Sequence, residues 1–298
     1  MGAKMRDCYA ALLVDLRHSR KYKGQERELL QCMLGQAVSY LNMVFASAIA
    51  SPVVFSAGDE VQGLFNTPFD AFLYYRALLL ILGRDTLRGG MGVGAWETVV
   101  QGAPSTAQDG SAYHYARAAL EEAKRSRTYQ LVIQGLGNID SRATTLLGYP
   151  LSIIEARTSE QSCIAFWAEL LRPVIINEHH AVYGLEAGRL RDELFELSLR
   201  YRGEGVAETE KMSNEDERDC DLRCAAFSTA LFEPVFVRDL LLPGRNRDTR
   251  GLAGLGTLLA PIAGKSRQSV DKSIARAHLA QERDATALVV DFLMRLEG

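Results

Sequence analysis

The order in which strand-like and helix-like patterns follow one another constrains the fold of this chain most. The apolar run Tyr9–Val14 ends at Asp15, which is typical of a buried strand that stops at the edge of a sheet. Residues 25–48 carry apolar side chains at helical spacing and predict a helix. Residues 53–65 then predict two strands joined by a tight turn, with Gly58 at the tip, where positive φ suits glycine.

A second helix and a further strand follow this hairpin. Thr67 is a suitable N-cap for a helix over Pro68–Leu82, because proline favours the first helical position. Arg88–Trp96 predicts a glycine-rich strand, 111–125 a helix and Thr128–Ile133 another strand. The βαββαβ order predicts an α+β, ferredoxin-like fold whose helices lie on one face of a mostly antiparallel sheet. We expect the opposite face to be open or covered by a partner.

Composition narrows the class of protein. Of the 298 residues, 47% are hydrophobic and 24% are charged, which predicts a folded globular protein rather than a disordered one. No apolar stretch is long enough to cross a bilayer, and no signal-peptide core precedes the first strand, so we expect no membrane partner. The five cysteines have no regular spacing, which favours a reducing, cytoplasmic location.

The second half of the chain has a different pattern. From about Ser159 onward, apolar residues recur every three or four positions, which indicates helices. We therefore predict a sheet domain over residues 1–157 and a helical region over residues 158–298. The segment 203–221 is acidic and has no apolar face, which favours an exposed linker.

Two acidic residues are candidates for metal binding. Asp15 ends the first strand and Asp59 lies in the hairpin turn, so both carboxylates come to one edge if these strands are neighbours. Two carboxylates held close together repel each other unless a cation such as Mg²⁺ or Mn²⁺ lies between them. A turn aspartate that accepts backbone amides is the alternative for Asp59 alone. The pair in this strand order favours the metal.

Four segments of the first half carry a family resemblance. They are Leu13–Ser19, Ala57–Phe65, Gly90–Gly94 and Asp109–Arg117. In this order they resemble the SatD family of bacterial and archaeal proteins, over roughly residues 8–125. SatD proteins in turn resemble the palm domains of class III and GGDEF-type nucleotidyl cyclases.

The resemblance implies a palm domain that binds a nucleoside triphosphate or another nucleotide together with Mg²⁺ or Mn²⁺. Metal ligands would be Asp15, Asp59 and Glu60. Contacts to the nucleotide would come from Ser19, Phe55, Gly58, His114 and Arg117. Class III palms usually work as pairs with the site between protomers, so the resemblance also implies a homodimer.

The chain departs from purine-specific class III cyclases at several positions. Phe55 stands where those enzymes have a lysine, and their base-reading aspartate aligns near Ala107. Their asparagine and arginine fall on His114 and Ala118, while Arg117 is one position off, about 100° around a helix. These differences remove the usual purine recognition and weaken the case for cyclisation, but they leave the pair of aspartates untouched.

Alternating glycines mark the strand that follows the second helix. Gly90, Gly92 and Gly94 lie on one face of it, which indicates the close approach of a helix or of a ligand. In the helix that follows, His114 and Arg117 are three residues apart and share a face, from which they could reach phosphates or form an ordinary surface pair.

Residues 252–280 predict a helix, a turn at Gly264 and a second helix capped by Ser266. Such a helix-turn-helix places its second helix against double-stranded DNA, and some SatD proteins also end in such a motif. Exposed candidates for DNA contacts are Arg267, Gln268, Lys272 and Arg276. Residues 245–283 hold eight basic and three acidic side chains, an excess of five positive charges. A solvated helical hairpin is the alternative, favoured by Pro261 inside the first helix.

The sequence thus predicts a metal-dependent nucleotide-binding palm coupled to a DNA-binding module, which would act as a nucleotide-responsive regulator. An active nucleotidyl cyclase or a related phosphotransfer enzyme, with a helical tail that dimerises the palms, is the second hypothesis. The third is a degenerate palm that serves as a structural platform.

Overall fold

The computed structural model describes residues 8–18, 24–100, 102–176, 184–202, 214–242 and 250–297. The fold is α+β, as predicted, with one five-stranded mixed sheet in the first half and mostly helices in the second. Its strands are β1 (Tyr9–Leu16), β2 (Ile49–Ala57), β3 (Glu60–Phe65), β4 (Leu87–Gly94) and β5 (Leu131–Gln134). Two short strands, β6 (Val174–Ile175) and β7 (Val235–Phe236), form a separate parallel pair.

The helices of the first half are α1 (Gly24–Val44), α2 (Pro68–Leu82), α3 (Ser111–Arg125) and α4 (Asp140–Glu155). Those of the second half are α5 (Ser159–Leu171), α6 (Leu185–Arg202), α7 (Asn214–Ser228), α8 (Val237–Leu241), α9 (Leu255–Ala263), α10 (Arg267–Arg276) and α11 (Leu279–Glu297). Helix α7 therefore includes the end of the predicted 203–221 linker, whose residues 203–213 lie outside the described part of the chain.

The sheet has the order β2-β3-β1-β4-β5. Strand β1 is central and pairs antiparallel with both β3 and β4, whereas β5 runs parallel to β4. The elements come in the predicted order because local signals mark their ends. Thr67 caps α2 by accepting the Asp70 N–H, and Gly83 ends that helix at a φ of 93°.

The face of the sheet opposite α1 and α2 is covered by α3. Residues Ala11 and Leu13 of β1 pack there against Ala112 and Ala116. The expectation that this face is open or covered by a partner is therefore wrong. Strand β4 carries glycines that bring the helix backbone close, because a Cβ at Gly92 would lie 2.1 Å from the Ala112 carbonyl oxygen.

The second half packs against the α1 and α2 side of the sheet. One continuous hydrophobic cluster runs from β1 through α1 and α2 to α11. Charged side chains cross this interface as well. Arg76 of α2 is 1% exposed and binds Glu169 of α5 and Glu282 of α11, at 2.7 and 2.6 Å.

Candidate functional site

The end of β1 and the start of β3 bring carboxylates together at one edge of the sheet. Asp15 lies directly opposite Glu60 in the antiparallel pair. Asp15 follows Leu13 by two residues, so it shares the face that packs against α3. Asp59 precedes Glu60 in the hairpin turn, where Gly58 has a φ of 62°, as predicted for the tip.

Glu60 is held by a cation from α3. Arg117 donates to both of its carboxylate oxygens, at 2.5 and 2.8 Å, and Ser56 Oγ lies 2.8 Å from Oε1. Burial acts to raise the pKa of Glu60, but the hydrogen bonds from Arg117 and Ser56 outweigh it and hold the pKa below its usual value. Glu60 is therefore a stable anion whose oxygens already have partners.

Asp15 is in a less favourable position. Its Oδ2 lies 3.5 Å from Lys124 Nζ, near the end of α3. Burial raises the pKa of Asp15, the Lys124 ammonium opposes this effect, and the carboxylates of Asp59 and Glu60 raise the pKa further. The net direction is upward, so the ionised carboxylate of Asp15 lacks compensating positive charge.

Asp59 has an oxygen without a partner. Its Oδ2 is buried and accepts no hydrogen bond. A buried carboxylate oxygen of this kind is costly unless a donor or a cation binds it. No group of three or more His, Cys, Asp or Glu side chains in the described ranges is arranged to hold a metal ion. Mg²⁺ nevertheless fits such a donor set, since one or two carboxylates, water and substrate phosphates usually bind it.

The remaining predicted nucleotide contacts are distributed differently. Phe55 is the partner of Val61 in the hairpin and lies beside Gly35 of α1, so its ring is on the face opposite Asp15. His114 Nε2 lies 3.4 Å from Asp109, and both side chains are exposed. Ser19 lies outside the described residues.

Lys124 is the site residue that the sequence analysis missed. It follows Arg117 by seven residues, or about two helical turns, so both side chains lie on one stripe of α3. Two cations on one stripe of a helix, together with a strand that ends in aspartate, were the signal by which Lys124 could have been found. On the other side, Arg88 of β4 is opposite Asp15 and donates to the carbonyl of Lys124.

Comparison with known proteins found a family model that is similar to the region containing this site. The family model described as "SatD family" matches residues 9–138. This part of the chain is similar to the SatD family. Neither the search of curated proteins nor the search of solved structures found a match.

The predicted DNA-binding segment lies outside the SatD match. Helix α9 ends at Gly264, whose φ is 60°, and Ser266 caps α10 by accepting the Ser269 N–H at 3.3 Å. Val270 and Ile274 are buried. The four candidate contacts are exposed: Arg267, Gln268, Lys272 and Arg276.

Not all of the positive charges counted in residues 245–283 are on the surface, and Arg245, Arg247 and Asp248 lie outside the described residues. Arg283 is 1% exposed and donates to backbone carbonyls of Arg172 and Arg250. Arg250 itself pairs with Asp284 at 2.9 Å, an acid beyond the residues counted. The number of exposed, unpaired positive charges in this segment is therefore smaller than the number counted from the sequence. Among the described helices, none is long and apolar enough to cross a membrane.

Proposed function

We propose that the SatD region is a nucleotidyl-cyclase-type palm that binds Mg²⁺ or Mn²⁺ with a nucleotide at Asp15 and Asp59. In this proposal the palm is coupled to a DNA-binding α9–α10 segment, so that the protein is a nucleotide-responsive regulator. The observation that carries the metal site is the buried, unpartnered Oδ2 of Asp59 beside Asp15, whose pKa is raised.

The strand order supports the palm. Strands β2, β3, β1 and β4 lie side by side in that order, and each neighbouring pair is antiparallel. The element order βαββαβ with this strand order is that of the ferredoxin-like arrangement on which palms are built. The metal-binding aspartates of cyclase palms match Asp15 and Asp59 by the family resemblance.

We propose separate roles for the residues next to the two aspartates. Glu60, predicted as a metal ligand, has both oxygens bound by Arg117, so we assign the metal to Asp15 and Asp59 alone. A bound divalent cation would supply the positive charge that Asp15 lacks, and Lys124 would then be free to contact a phosphate. Phe55 faces away from the aspartates and offers no polar group to a purine base.

An active nucleotidyl cyclase or related phosphotransfer enzyme is the second candidate. Arg117 and Lys124 favour it, because two cations beside a metal could stabilise the charge that develops on transferring phosphates. If the palms pair as class III palms do, the protein would be a homodimer with the site between protomers.

Calorimetry with Mn²⁺ and each common nucleoside triphosphate tests the nucleotide site. We expect Asp59→Asn to abolish Mn²⁺-dependent binding while the far-UV spectrum and the melting temperature stay native. Asp291→Asn is the matched control, since this acid lies on α11 and pairs with Arg295 at the surface. Equal binding by wild type and Asp59→Asn would remove the site.

Mass spectrometry of the same incubations separates the two candidates. We expect no cyclic nucleotide and no preference for ATP or GTP, because Phe55 replaces the purine-reading lysine. Cyclic AMP made by the wild type and lost in Asp59→Asn would promote the enzyme instead.

A further inference from the structure

A cavity of about 370 Å³ lies far along the chain from the aspartates, where α4 ends and α5 begins. The junction between α10 and α11 forms its other side. Polar groups that line it are Ser152, Arg157, Gln161, Arg276, His278 and Gln281. No carboxylate is among the residues that line the cavity in the described part of the chain.

Arg157 is the buried cation of this cavity. Its side chain is 2% exposed, and its Nε donates to the carbonyl of Ala277 at 2.8 Å. Both Nη atoms are buried and have no hydrogen-bond partner, and the nearest acid is Glu282, 3.7 Å from Nη2. Buried guanidinium hydrogens without acceptors are costly, and an anion is the ligand that satisfies them best.

The buried charges around Arg157 have an excess of positive charge. The buried ion network contains three arginines, Arg76, Arg157 and Arg283, but only two glutamates, Glu169 and Glu282. Arg76 binds both glutamates at 2.7 and 2.6 Å, whereas Arg157 reaches Glu282 only at 3.7 Å. Burial lowers the pKa of Arg157, the carboxylate of Glu282 opposes this effect, and Arg76 strengthens it.

Two helix starts add donors to the same cavity. Gln161 lies in the first turn of α5, where its Oε1 accepts the Thr158 N–H at 3.0 Å, which leaves its Nε2 hydrogens for another acceptor. Gln281 lies in the first turn of α11. Helix N-termini favour anions because their first N–H groups and the helix dipole are positive.

Glu160, which precedes Gln161 in the first turn of α5, is already engaged. Glu160 accepts a hydrogen bond from Ser273 at 2.9 Å and pairs with Lys265 at 2.9 Å. Exposed Arg276 supplies a second positive charge to the cavity wall, and Tyr149, 63% exposed, gives the wall an aromatic side. A volume of this size takes a phosphate group together with a small organic body.

We propose that this cavity binds the phosphate group of a phosphorylated small molecule through Arg157, Arg276 and the first turns of α5 and α11. The site is independent of the proposed palm site. It shares Arg276 with the proposed DNA-binding helix, so occupancy of the cavity would reach that helix directly.

Titration calorimetry of the full chain at constant ionic strength tests the cavity, with inorganic phosphate and ribose 5-phosphate as probes. Arg276→Gln should weaken binding about tenfold or more, as expected for the loss of a hydrogen bond from a charged group. Ser152→Glu, a change at an exposed position, should abolish binding through like-charge repulsion. Arg295→Gln, an exposed arginine of α11 remote from the lining, should bind within twofold of the wild type. Asp59→Asn should also bind normally, which separates this site from the palm.

Arg157→Met tests the buried guanidinium itself and should also abolish binding. If this variant does not fold, the exposed variants Arg276→Gln and Ser152→Glu test the site. Tighter binding of ribose 5-phosphate than of inorganic phosphate identifies an organic phosphate as the ligand. Binding of the free ion alone keeps the phosphate site and excludes the organic body. If neither probe binds saturably to the wild type, or if Arg276→Gln and Ser152→Glu bind like the wild type, the site does not exist.

Discussion

Asp15 and Glu60 lie directly opposite each other on β1 and β3, and both side chains face α3. Like charges at facing positions of two strands destabilise a sheet unless cations compensate them. The compensation here is unequal, because Arg117 binds both oxygens of Glu60, whereas Lys124 reaches Asp15 only at 3.5 Å. The pKa of Glu60 is therefore lowered and that of Asp15 raised, and the first two predictions have opposite signs.

We expect Asp15→Asn to stabilise the metal-free protein near neutral pH. The folded protein holds the proton of Asp15 above the usual pKa of 3.8, so stability is lost as pH rises from that value through the raised pKa. Asparagine does not ionise, so the variant keeps this stability as pH rises. Thermal melts without metal should show a melting temperature higher by about 1–3 °C at pH 7 and no difference below pH 3.8. The same variant should lose Mn²⁺-dependent nucleotide binding. A lower melting temperature at pH 7 would mean that the Lys124 pair outweighs the burial of Asp15.

Glu60→Gln should act in the opposite direction. A carboxylate whose folded pKa lies below 4.5 contributes stability that is present above that value and lost as pH falls through the lowered pKa. The variant should therefore melt below the wild type at pH 7, and the two curves should converge in acid. Arg117→Met removes the partner and should reproduce the loss. If Arg117→Met leaves the pH dependence unchanged, this ion pair does not set the pKa of Glu60.

Gly92→Ala should separate α3 from the sheet. The new Cβ would lie 2.1 Å from the Ala112 carbonyl oxygen and 2.2 Å from the Ala116 nitrogen, and backbone atoms cannot move aside as a side chain can. We expect the free energy of unfolding, measured in urea, to fall by about 3 kcal/mol or more. Gly35→Ala is the control, because its Cβ would be in ordinary contact with Phe55 at 3.8 Å and alanine favours a helix by up to about 1 kcal/mol.

Local signals account for the parts of the fold that the sequence predicted. The Thr67 cap, the turn at Gly58 and the apolar run before Asp15 each depend on residues close in sequence, so the order of strands and helices could be derived. The two helices α9 and α10 followed in the same way from the turn at Gly264 and the cap at Ser266. The glycines of β4 carried the signal for α3, although the covered face was not deduced from them.

Contacts between distant residues could not be derived. Arg117 and Glu60 are 57 positions apart, and Arg76 and Glu282 are 206 apart. The sequence carries no periodic signal that pairs an acid with one particular base far along the chain. Which charges neutralise each other therefore depends on the folded structure. The buried network that leaves both Nη atoms of Arg157 without acceptors is a consequence of this kind. So is the burial of Arg283, which the charge count of residues 245–283 had included.

Salt-dependent DNA binding by α10 is the last prediction. Five polar side chains are exposed along this helix, one of them the acid Asp271. Lys272 makes no ion pair among the described residues, whereas Arg267 lies 3.5 Å from Asp271. If roughly four phosphates are neutralised, affinity should fall about 100-fold between about 50 and 200 mM salt, since the slope is close to 0.9 per phosphate.

Fluorescence anisotropy over genomic duplex fragments at several salt concentrations measures this slope. Lys272→Ala and Arg276→Ala should each weaken all duplexes alike and lower the slope by about 0.9. Arg267→Ala and Gln268→Ala should also relax sequence preference, because they lie at the start of the helix that would face base edges. Arg295→Ala, an exposed arginine on α11, serves as the matched control and should leave the slope unchanged. No duplex binding at low salt would make α9 and α10 a solvated hairpin, and the enzyme would then become the leading hypothesis.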